Sequence, residues 1–350
     1  MKTIISNLNI ASIASYLPNE VLELNTLSSL YGEKEVKRII SATGVERVYI
    51  ANENETSSDM CFHAAENLIE EGNICRNSID GLVFVSQTPD YILPATSIIL
   101  QDRLGLKQDT VCIDIHYGCS GYIYGVLQAA LWINSGLCKT VLVLAGDTTS
   151  RMINNQDKSL RMVFGDSGTA TLITQGVDNI GFNIMSDGSG YDKLIIPAGG
   201  FRKPQSNQTS QIKYDVDGNG RTENDLFMDG AAIFNFAISN VHNNINELIE
   251  FMSWDKQDVN KYILHQANNF MVDYVRKKLK VEKELVPIDV KDFGNTGPST
   301  IPLLLSHLYY KEKPNLEKTI LSGFGVGLSW GSIACNLNKT NFYKPISCIK

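Results

Sequence analysis

The chain has 350 residues, of which 43% are hydrophobic and 20% are charged, a globular composition that excludes a disordered or fibrous protein. Its length exceeds that of a usual single domain, so we expect two fused domains or one duplicated domain. The formal net charge of -7 argues against nucleic acid as the main partner, because nucleic-acid-binding proteins usually carry a basic surface.

No targeting or membrane segment is predicted. Polar residues interrupt the N-terminal stretch 1–18, which therefore lacks the continuous apolar core of a signal peptide. No run approaches the roughly 18 apolar residues that a membrane helix needs. We expect a cytoplasmic protein without a membrane partner.

The cysteines and acidic loops predict neither a metal nor a cofactor. Cysteines stand at positions 61, 75, 112, 119, 138, 335 and 348, an odd set without a CxxC pair, so neither disulfides nor zinc are indicated. Most are expected to be small buried hydrophobes. The run 215–220 is similar to the start of a calcium loop, but Leu226 stands where an EF-hand needs Glu.

In chain order, the first half alternates short β-branched runs with longer amphipathic stretches. The runs 81–86, 110–116 and 140–147 predict buried strands. Between the last two, residues 119–136 are apolar around nearly the whole helical circumference, which predicts a buried helix. This alternation is typical of an α/β fold.

The second half repeats the pattern. Strands are predicted at 261–265, 318–325 and 331–337, and helices at 266–280 and 299–313. The polar, Gly- and Asn-rich stretch 200–226 predicts a surface loop or insertion. Two similar halves indicate an internal duplication, which we divide into residues 1–175 and 176–350.

Cys119 is a candidate nucleophile. It lies where the strand 110–116 meets the buried helix, and the glycines at 118 and 121 allow a tight turn there. A thiol at a helix N-terminus is expected to have a lowered pKa, because unpaired backbone N–H groups favour the thiolate. By itself, however, Cys119 could equally be a buried structural residue.

His265 and Asn295 are candidate partners of Cys119. His265 ends the strand 261–265, at the strand edge where α/β folds usually bind ligands. Asn295 lies in a Gly-rich loop that stops at a helix start. Of the other histidines, only His116 is close in sequence to Cys119. Asp166, in the Gly-rich turn 163–168, is expected to cap neighbouring backbone N–H groups rather than to bind phosphate.

With these segments in view, the chain resembles the thiolase superfamily and, within it, the 3-oxoacyl-acyl carrier protein synthase III (beta-ketoacyl-ACP synthase III) family. Eight segments carry the resemblance in the family's order: SATGVERVYI at 41–50, LPATS at 93–97, YGCSG at 117–121, VFGDSGTA at 163–170, MDGAAIFNFA at 228–237, HQAN at 265–268, NTGPSTIP at 295–302 and GFGVGLSWG at 323–331. A single CSG or HQAN would not be specific, whereas eight ordered segments are.

The resemblance implies a thiolase-like fold of two duplicated αβαβα halves forming a five-layered core, and a homodimer built across the N-terminal halves. It also implies that Cys119 becomes acylated, while His265 and Asn295 hold the carbonyl oxygen of a malonyl-type thioester. The donor would be an acyl-CoA or acyl-ACP, and the extender a malonyl-ACP. A degradative thiolase is disfavoured because GFGVGLSWG lacks the second cysteine of those enzymes.

The implied reaction is loading of an acyl group on Cys119, followed by decarboxylative Claisen condensation to a 3-oxoacyl product. The backbone N–H groups of Cys119 and Val326 are the expected oxyanion hole. The alternatives are an acyltransferase that passes the acyl group to an O, N or S acceptor without decarboxylation, and a non-enzymatic scaffold, for which an intact Cys, His and Asn set would be unnecessary.

Several positions depart from the family's pattern. The Trp and Arg that commonly precede the Thr43-Gly44 segment in coenzyme A users are missing, and Phe270 replaces an Arg implicated in carrier-protein contact. Leu93 stands where a residue, often Phe, enters the acyl pocket of the other subunit. Lys158 and Arg161 are candidate carrier or phosphate contacts, with solvated loop charges as the alternative. These departures indicate a specialised relative.

Overall fold

The computed structural model describes residues 1–310 and 314–347. Up to residue 175 the strands are β1 (Lys2–Tyr16), β2 (Glu20–Glu23), β3 (Arg47–Ile50), β4 (Gly81–Val85), β5 (Val111–Ile115), β6 (Thr140–Asp147) and β7 (Ser167–Gln175). The helices of this part are α1 (Ser28–Tyr31), α2 (Glu33–Thr43), α3 (Ser57–Glu71), α4 (Thr96–Arg103), α5 (Gly121–Asn134) and α6 (Lys158–Arg161).

The rest of the chain adds strands β8 to β16 and helices α7 to α10. The strands are β8 (Asp178–Ser186), β9 (Leu194–Ile195), β10 (Lys213–Tyr214), β11 (Gly220–Arg221), β12 (Phe227–Met228), β13 (Lys261–Leu264), β14 (Thr319–Gly325), β15 (Ser329–Cys335) and β16 (Asn341–Phe342). The helices are α7 (Gly230–Phe251), α8 (Asn269–Leu279), α9 (Val290–Phe293) and α10 (Thr300–Tyr309).

The main sheet has the same pairing pattern on its two sides. Its order is β13-β14-β15-β8-β1-β7-β6-β4-β5, with β16 paired to β1. On one side β4 is parallel to β6, β6 antiparallel to β7, and β7 antiparallel to β1. On the other side β13 is parallel to β14, β14 antiparallel to β15, and β15 antiparallel to β8. The order and the directions are therefore repeated.

Helices cover both faces of the strands and build five layers. Helices α5 and α10 contact strands of both sides of the sheet, whereas α3 and α4 lie on the outer face of one side and α7 lies on the outer face of the other, backed by α8. One apolar cluster surrounds the central helices α5 and α10, and one further cluster lies under the helices of each outer layer. This arrangement confirms the predicted α/β class and its five layers.

The central strands are continuously apolar because both of their faces are covered. In β6, Val141 and Val143 face α5, while Leu142 and Leu144 face α3 on the opposite side. Successive side chains of a strand point to opposite faces, so a two-sided core requires an unbroken apolar run. Helix α5 is likewise apolar around nearly its whole circumference, because strands lie on either side of it.

The predicted strands and helices of the described residues are confirmed, with small shifts at their ends. The buried helix begins at Gly121, not at residue 119, and the helix predicted at 299–313 spans Thr300–Tyr309. Residues 311–313 of that prediction lie outside the described residues, as does Cys348. The other cysteines have free thiols, with Cys61, Cys138 and Cys335 buried as predicted and Cys75 exposed.

The predicted surface loop 200–226 is irregular apart from two-residue strands. Arg221 binds the carboxylates of Asp157 and Asp215, and Asn219 also donates to Asp215. This network anchors the loop to α6. Over the stretches 1–310 and 314–347 no helix is long and apolar enough to cross a lipid bilayer.

Candidate active site

Cys119 lies in the turn between β5 and α5, two residues before the first helical residue. The Gly121 N–H donates to the Gly118 carbonyl at 2.7 Å, which closes the turn. The hydroxyls of Ser120 and Ser329 are 2.6 Å apart, and the Ser329 hydroxyl donates to the Val326 carbonyl at 2.7 Å. The loop after β14 is thereby fastened to the residue that follows the nucleophile.

Glycines on both sides let backbone approach the Cys119 side chain. A Cβ at Gly325 would lie 2.8 Å from the Cβ of Cys119 and 2.9 Å from its Sγ. A Cβ at Gly118 would lie 2.2 Å from the Gln87 Oε1 and 2.8 Å from a methyl group of Val326. All four distances are shorter than van der Waals contact, so a larger residue at either glycine would displace the turn.

The predicted lowering of the Cys119 pKa is wrong for the resting protein. Burial raises the pKa of the thiol to about 12, and the nearby Asp147 carboxylate acts in the same direction. Hydrogen bonds from the backbone N–H groups of Val326 and Cys119 oppose this rise. The side chain is only 7% exposed, so the loss of hydration outweighs the helix N-terminus. The resting nucleophile is a thiol.

Asp147, at the end of β6, is a buried carboxylate next to this turn. Its Oδ1 accepts hydrogen bonds from the Ser86 hydroxyl at 2.8 Å and the Gln87 N–H at 2.6 Å. Its Oδ2 is buried without a hydrogen-bond partner in the described residues. Burial raises the pKa of Asp147 to about 7, despite the hydrogen bonds, because the ionised form has lost its water.

His265 follows β13 directly and is 1% exposed. Its backbone N–H donates to the Ser322 carbonyl of β14 at 2.8 Å, and its ring packs edge to face against Phe324, with centroids 5.5 Å apart. Burial lowers the pKa of His265 to about 3, so the imidazole is neutral at physiological pH. A neutral ring carries one proton on one of its two nitrogens.

The Thr300 hydroxyl decides which nitrogen of His265 carries that proton. The Nδ1 of His265 is 2.7 Å from the Thr300 Oγ1, and this hydroxyl is also 3.2 Å from the Gly297 carbonyl. If the hydroxyl donates to Gly297, it accepts from Nδ1–H and leaves a lone pair on Nε2. If it donates to Nδ1, Nε2 carries the proton. Each orientation of the hydroxyl therefore goes with one tautomer, and the change from base to donor at Nε2 also requires loss of the Nδ1 proton and gain of a proton at Nε2.

Asn295 is held from both sides by backbone hydrogen bonds. Its N–H donates to the Val163 carbonyl at 2.8 Å, and its carbonyl accepts from the Gly165 N–H at 3.0 Å. Its side-chain Oδ1 accepts from the Gly297 N–H at 3.0 Å. With Oδ1 engaged, the Nδ2 amino group is the donor that remains for a ligand.

The structure brings the three predicted residues to one cavity. Cys119, His265 and Asn295 line a cavity of about 260 Å³, which we call the His265 cavity. Phe270, 57% exposed, lies on the same cavity and stacks on Phe234, with centroids 5.2 Å apart. The His265 cavity therefore joins the protein surface to the buried thiol.

A separate cavity of about 330 Å³ also reaches Cys119, and we call it the Gln87 cavity. The side chains that line both cavities are Cys119, Phe164 and Leu194. The remaining lining residues of the Gln87 cavity are Gln87, His116, Thr149, Met152, Tyr191, Ile195, Ile196, Leu226, Gly297, Val326 and Gly327. Cys119, the candidate nucleophile, thus lies between the His265 cavity and the Gln87 cavity.

Of the other predicted site residues, Val326 lines the Gln87 cavity, whereas Leu93, Lys158, Arg161 and Asp166 lie outside both cavities. Leu93 is 79% exposed, on the segment between β4 and α4. Lys158 is paired with Glu35 at 3.4 Å and donates to the Asp217 carbonyl at 2.7 Å. Arg161 donates to the Asn155 side chain and lines a different cavity with Arg151 and Phe164. Asp166 accepts from the Ala51 and Ser150 N–H groups, which confirms its predicted capping role.

Comparison with known proteins gives the family. Residues 113–188 match the model described as 3-oxoacyl-(acyl-carrier-protein (ACP)) synthase III, and residues 249–337 match the model of its C-terminal region. A Campylobacter jejuni relative, named provisionally as a 3-oxoacyl-(acyl-carrier-protein) synthase 3, is 36% identical over 341 residues, which cover 96% of each chain. The beta-ketoacyl-(acyl-carrier-protein) synthase III of Caldanaerobacter subterraneus is 30% identical, covering 94% of this chain and 98% of its own.

A crystal structure of the 3-oxoacyl-(acyl-carrier protein) synthase from Burkholderia xenovorans matches with a TM-score of 0.91 and 32% identity, covering 99% of both chains. The fold is therefore that of the thiolase-like acyltransferases. Within that superfamily, the chain belongs to the 3-oxoacyl-(acyl-carrier-protein) synthase III family.

Sequence reasoning missed Thr300, Gln87 and Asp147. Thr300 lies five residues after Asn295 in the same Gly-rich segment. Its hydroxyl at the start of a helix is the sequence feature that could have identified it as a site residue. Gln87 and Asp147 follow strands β4 and β6, which are neighbours in the sheet. Only the parallel pairing of β4 and β6 shows that these two residues meet beside Cys119.

Proposed function

We propose that this protein is a 3-oxoacyl-(acyl-carrier-protein) synthase III-like condensing enzyme that loads an acyl group on Cys119 and extends it with a malonyl-type thioester. The observation that carries the proposal is the placement of Cys119, His265 and Asn295, from three separate segments, on one cavity. The chain's membership of the family supports it.

In the first half-reaction the Cys119 sulfur attacks the donor thioester carbonyl, the thioester C–S bond breaks, and a new thioester forms on the enzyme. Because the resting thiol is protonated, its proton must be removed as it attacks. We propose that Nε2 of neutral His265 takes this proton, with Nδ1–H held by Thr300. The proton then leaves with the departing thiol.

The oxyanion formed in this step needs hydrogen-bond donors. We propose that the backbone N–H groups of Cys119 and Val326 supply them, because both already donate to the Cys119 sulfur. Loss of one such donor typically lowers the rate by about 10² to 10³. The Ser120–Ser329–Val326 hydrogen bonds hold the Val326 segment in place for this task.

In the second half-reaction the malonyl-type thioester loses CO₂ and becomes an enolate, whose carbon attacks the acyl carbonyl and releases Cys119. The negative oxygen of the enolate needs donors and no base. We propose that the Asn295 amino group and the Nε2–H tautomer of His265 donate to it. The ring reaches this tautomer between the two half-reactions by losing the Nδ1 proton and gaining one at Nε2 through exchange with solvent, and the Thr300 hydroxyl then turns towards Nδ1. The released Cys119 thiolate takes up a proton from solvent.

The donor is an acyl thioester of coenzyme A or of a carrier protein, and the extender is a malonyl thioester of a carrier protein. The thioester arm would enter through the His265 cavity past Phe270. Arg161 remains a proposed phosphate or carrier contact. Lys158 is less suited to that role, because its ammonium is engaged by Glu35 and the Asp217 carbonyl.

We also propose a homodimer. The exposed segment Tyr91-Ile92-Leu93 presents three large apolar side chains, and Ile98 of α4 and Ile113 of β5 are exposed as well. Strand β5 is the outermost strand on its side of the sheet. An exposed strand edge next to apolar side chains is a liability that a second subunit would remove. In such a dimer, Leu93 would enter the Gln87 cavity of the other subunit.

The division into halves 1–175 and 176–350 also remains a proposal. The repeated strand order and the short connection between β7, ending at Gln175, and β8, beginning at Asp178, support it.

The test of the proposed function is the mass of the intact protein after incubation with acyl-CoA and acyl-carrier thioesters, with Cys119→Ala as the matched variant. We expect one acyl adduct in the unmodified protein and none in the variant. Addition of malonyl-carrier protein should then remove the adduct, release CO₂ and yield a 3-oxoacyl product.

Two results would contradict the proposal. Loss of the adduct to an O, N or S acceptor, without CO₂ release in the presence of a competent extender, would establish simple acyl transfer instead. Failure of every donor to label Cys119, together with no reaction of Cys119 with iodoacetamide in peptide mapping, would remove the nucleophile itself.

A further inference from the structure

The Gln87 cavity carries hydrogen-bonding groups next to the nucleophile. Gln87 and His116 both line it, together with the hydroxyl-bearing Thr149 and Tyr191. The remaining lining side chains are chiefly apolar, including Met152, Ile196 and Leu226. A carboxamide at this place would weaken the binding of a purely alkyl chain, because the amide would lose its hydrogen bonds to water and gain none from the alkyl group.

The Gln87 carboxamide is held beside the nucleophile turn and has no protein partner. The backbone N–H of Gln87 is fixed by the Asp147 carboxylate at 2.6 Å. Its Oε1 lies where a side chain at position 118 would begin, 2.2 Å from a Cβ placed there. In the described part of the chain its amide group makes no hydrogen bond. Gly118 therefore leaves space for this amide, directly before Cys119.

The lack of charged side chains in the described lining of the Gln87 cavity limits the chemistry of a bound group. Its described lining includes no Asp, Glu, Lys or Arg side chain. A carboxylate on the acyl chain would lack a fixed cation, and an ammonium group would lack an anion, so either would be buried at high cost. The carboxamide of Gln87 both donates and accepts, which suits a neutral hydroxyl or carbonyl group.

Resting on the proposed function, we propose that the acyl group loaded on Cys119 is short and carries a hydroxyl or oxo group within a few carbons of the thioester, which Gln87 and His116 bind. The volume of about 330 Å³ corresponds to roughly ten water-sized groups. Leu93 of the other subunit in the proposed dimer would reduce this space further. Gln87 and His116 thereby determine the specificity of the loading step.

The test compares donors of one chain length. The (R)- and (S)-3-hydroxybutyryl, 3-oxobutyryl and butyryl thioesters, each on coenzyme A and on acyl carrier protein, are offered to the full-length protein. The rate of Cys119 acylation is followed by intact mass. We expect at least one of the oxygenated donors to load about tenfold or more faster than butyryl, because a bound butyryl chain would cover the Gln87 amide without giving it a hydrogen bond. Comparison of the 3-hydroxybutyryl with the 3-oxobutyryl donors shows whether the cavity binds a hydroxyl group or an oxo group.

Matched variants assign the preference to the residues. Gln87→Met keeps the side-chain length and removes the amide, so the ratio of oxygenated to butyryl loading should fall about tenfold, and His116→Phe should lower it as well. Gln257→Met makes the same substitution at an exposed glutamine outside both cavities and should leave the ratio unchanged. Each ratio is measured within one protein sample, so partial misfolding of a variant cancels.

The outcomes separate this proposal from the proposed function. Equal loading of butyryl and all oxygenated donors, or an unchanged ratio in Gln87→Met, would overturn the role of Gln87 while Cys119 acylation stands. If no donor labels Cys119 at all, the proposed function fails, and this proposal fails with it.

Discussion

At the residue scale, the site combines a buried thiol, a neutral imidazole and a buried carboxylate. Burial raises the pKa of Cys119 to about 12 and that of Asp147 to about 7, and lowers that of His265 to about 3. In each case burial disfavours the charged form. The proposed reaction therefore starts from a neutral thiol and a neutral imidazole, with Asp147 about half ionised near pH 7, and the Cys119 proton must be removed as its sulfur attacks.

The hydroxyl of Thr300 is predicted to control the tautomer of His265. Thr300→Val removes the one side-chain hydrogen bond that the His265 ring makes within residues 1–310 and 314–347, so kcat for condensation should fall about 10- to 100-fold, as is typical when a bond that orients a functional histidine is lost. The KM for the malonyl thioester should change less. Thr300→Ser restores the hydroxyl and should recover most of kcat. Steady-state kinetics with an unaffected kcat in Thr300→Val would contradict the prediction.

Asp147→Asn is predicted to change the pH dependence of stability. The pKa of Asp147 is raised from 3.8 to about 7, so the folded state binds the proton more tightly than the unfolded state. This stabilisation is complete below the unfolded pKa and is lost as pH rises through the folded pKa. Relative to the variant, the unmodified protein should therefore lose about 2 to 3 kcal/mol of unfolding free energy between pH 5 and pH 8.

Urea denaturation of both proteins at the two pH values measures this difference, and the pairwise comparison removes the groups that the proteins share. Among these is His265, whose lowered pKa acts in the opposite direction, because its stabilisation is lost as pH falls below the unfolded value. An equal pH dependence of the two proteins would show that Asp147 is ionised throughout.

At the scale of elements, the site lies where the ends of several strands and the start of a helix meet. Cys119 follows β5, His265 follows β13, and Asn295 precedes α10. The loop between β14 and β15 reaches the thiol through the Val326 N–H, which donates to the Cys119 sulfur, and Ser329 at the start of β15 meets the Ser120 hydroxyl. The strands fix the positions of these ends because they are buried on both faces, so their register cannot shift without exposing apolar side chains.

Gly325→Ala is predicted to slow acylation of Cys119 by about tenfold or more. The added methyl group would lie 2.9 Å from the sulfur, and relief of this overlap moves either the thiol or the Val326 N–H from its position. The acylation rate, followed by intact mass, measures the effect. Gly188→Ala is the control, because a Cβ there meets nothing within 4 Å. Equal rates in both variants would show that the approach of Gly325 is unimportant.

At the scale of the whole molecule, exposed apolar side chains are concentrated around the segment 91–93, α4 and β5. Ile92 is 83% exposed and Leu93 is 79% exposed, next to the outermost strand of the sheet. Gln87 precedes this segment in the chain and His116 directly follows β5, so the Gln87 cavity is the one that adjoins the proposed subunit contact.

Ile92→Asp is predicted to shift the protein from dimer to monomer, because the substitution would bury an unpaired charge in the subunit contact. Light scattering coupled to size-exclusion chromatography measures the mass of the species in solution. Val216→Asp is the matched control, since Val216 is also fully exposed but lies on the 200–226 loop. A monomeric unmodified protein, or a dimer unaffected by Ile92→Asp, would contradict the proposed interface.

The sequence by itself determined the α/β class, the buried strands and the three candidate site residues. Strand β6 was predictable because its unbroken apolar run reports burial on both faces, and Cys119 and Asn295 were predictable because glycines mark the turns that present them. Eight ordered segments then identified the family. These features depend on local patterns, which a single chain displays directly.

Only the tertiary structure decided the environment of those residues. The Cys119 pKa was predicted in the wrong direction because burial, which depends on the packing of the β14–β15 loop over the thiol, outweighs the helix N-terminus. Gln87 and Asp147 gained their place beside the nucleophile through the pairing of β4 with β6, and Thr300 through its contact with a ring 35 residues away. Solvation and long-range contact are properties of the packed chain, so no local pattern could reveal them.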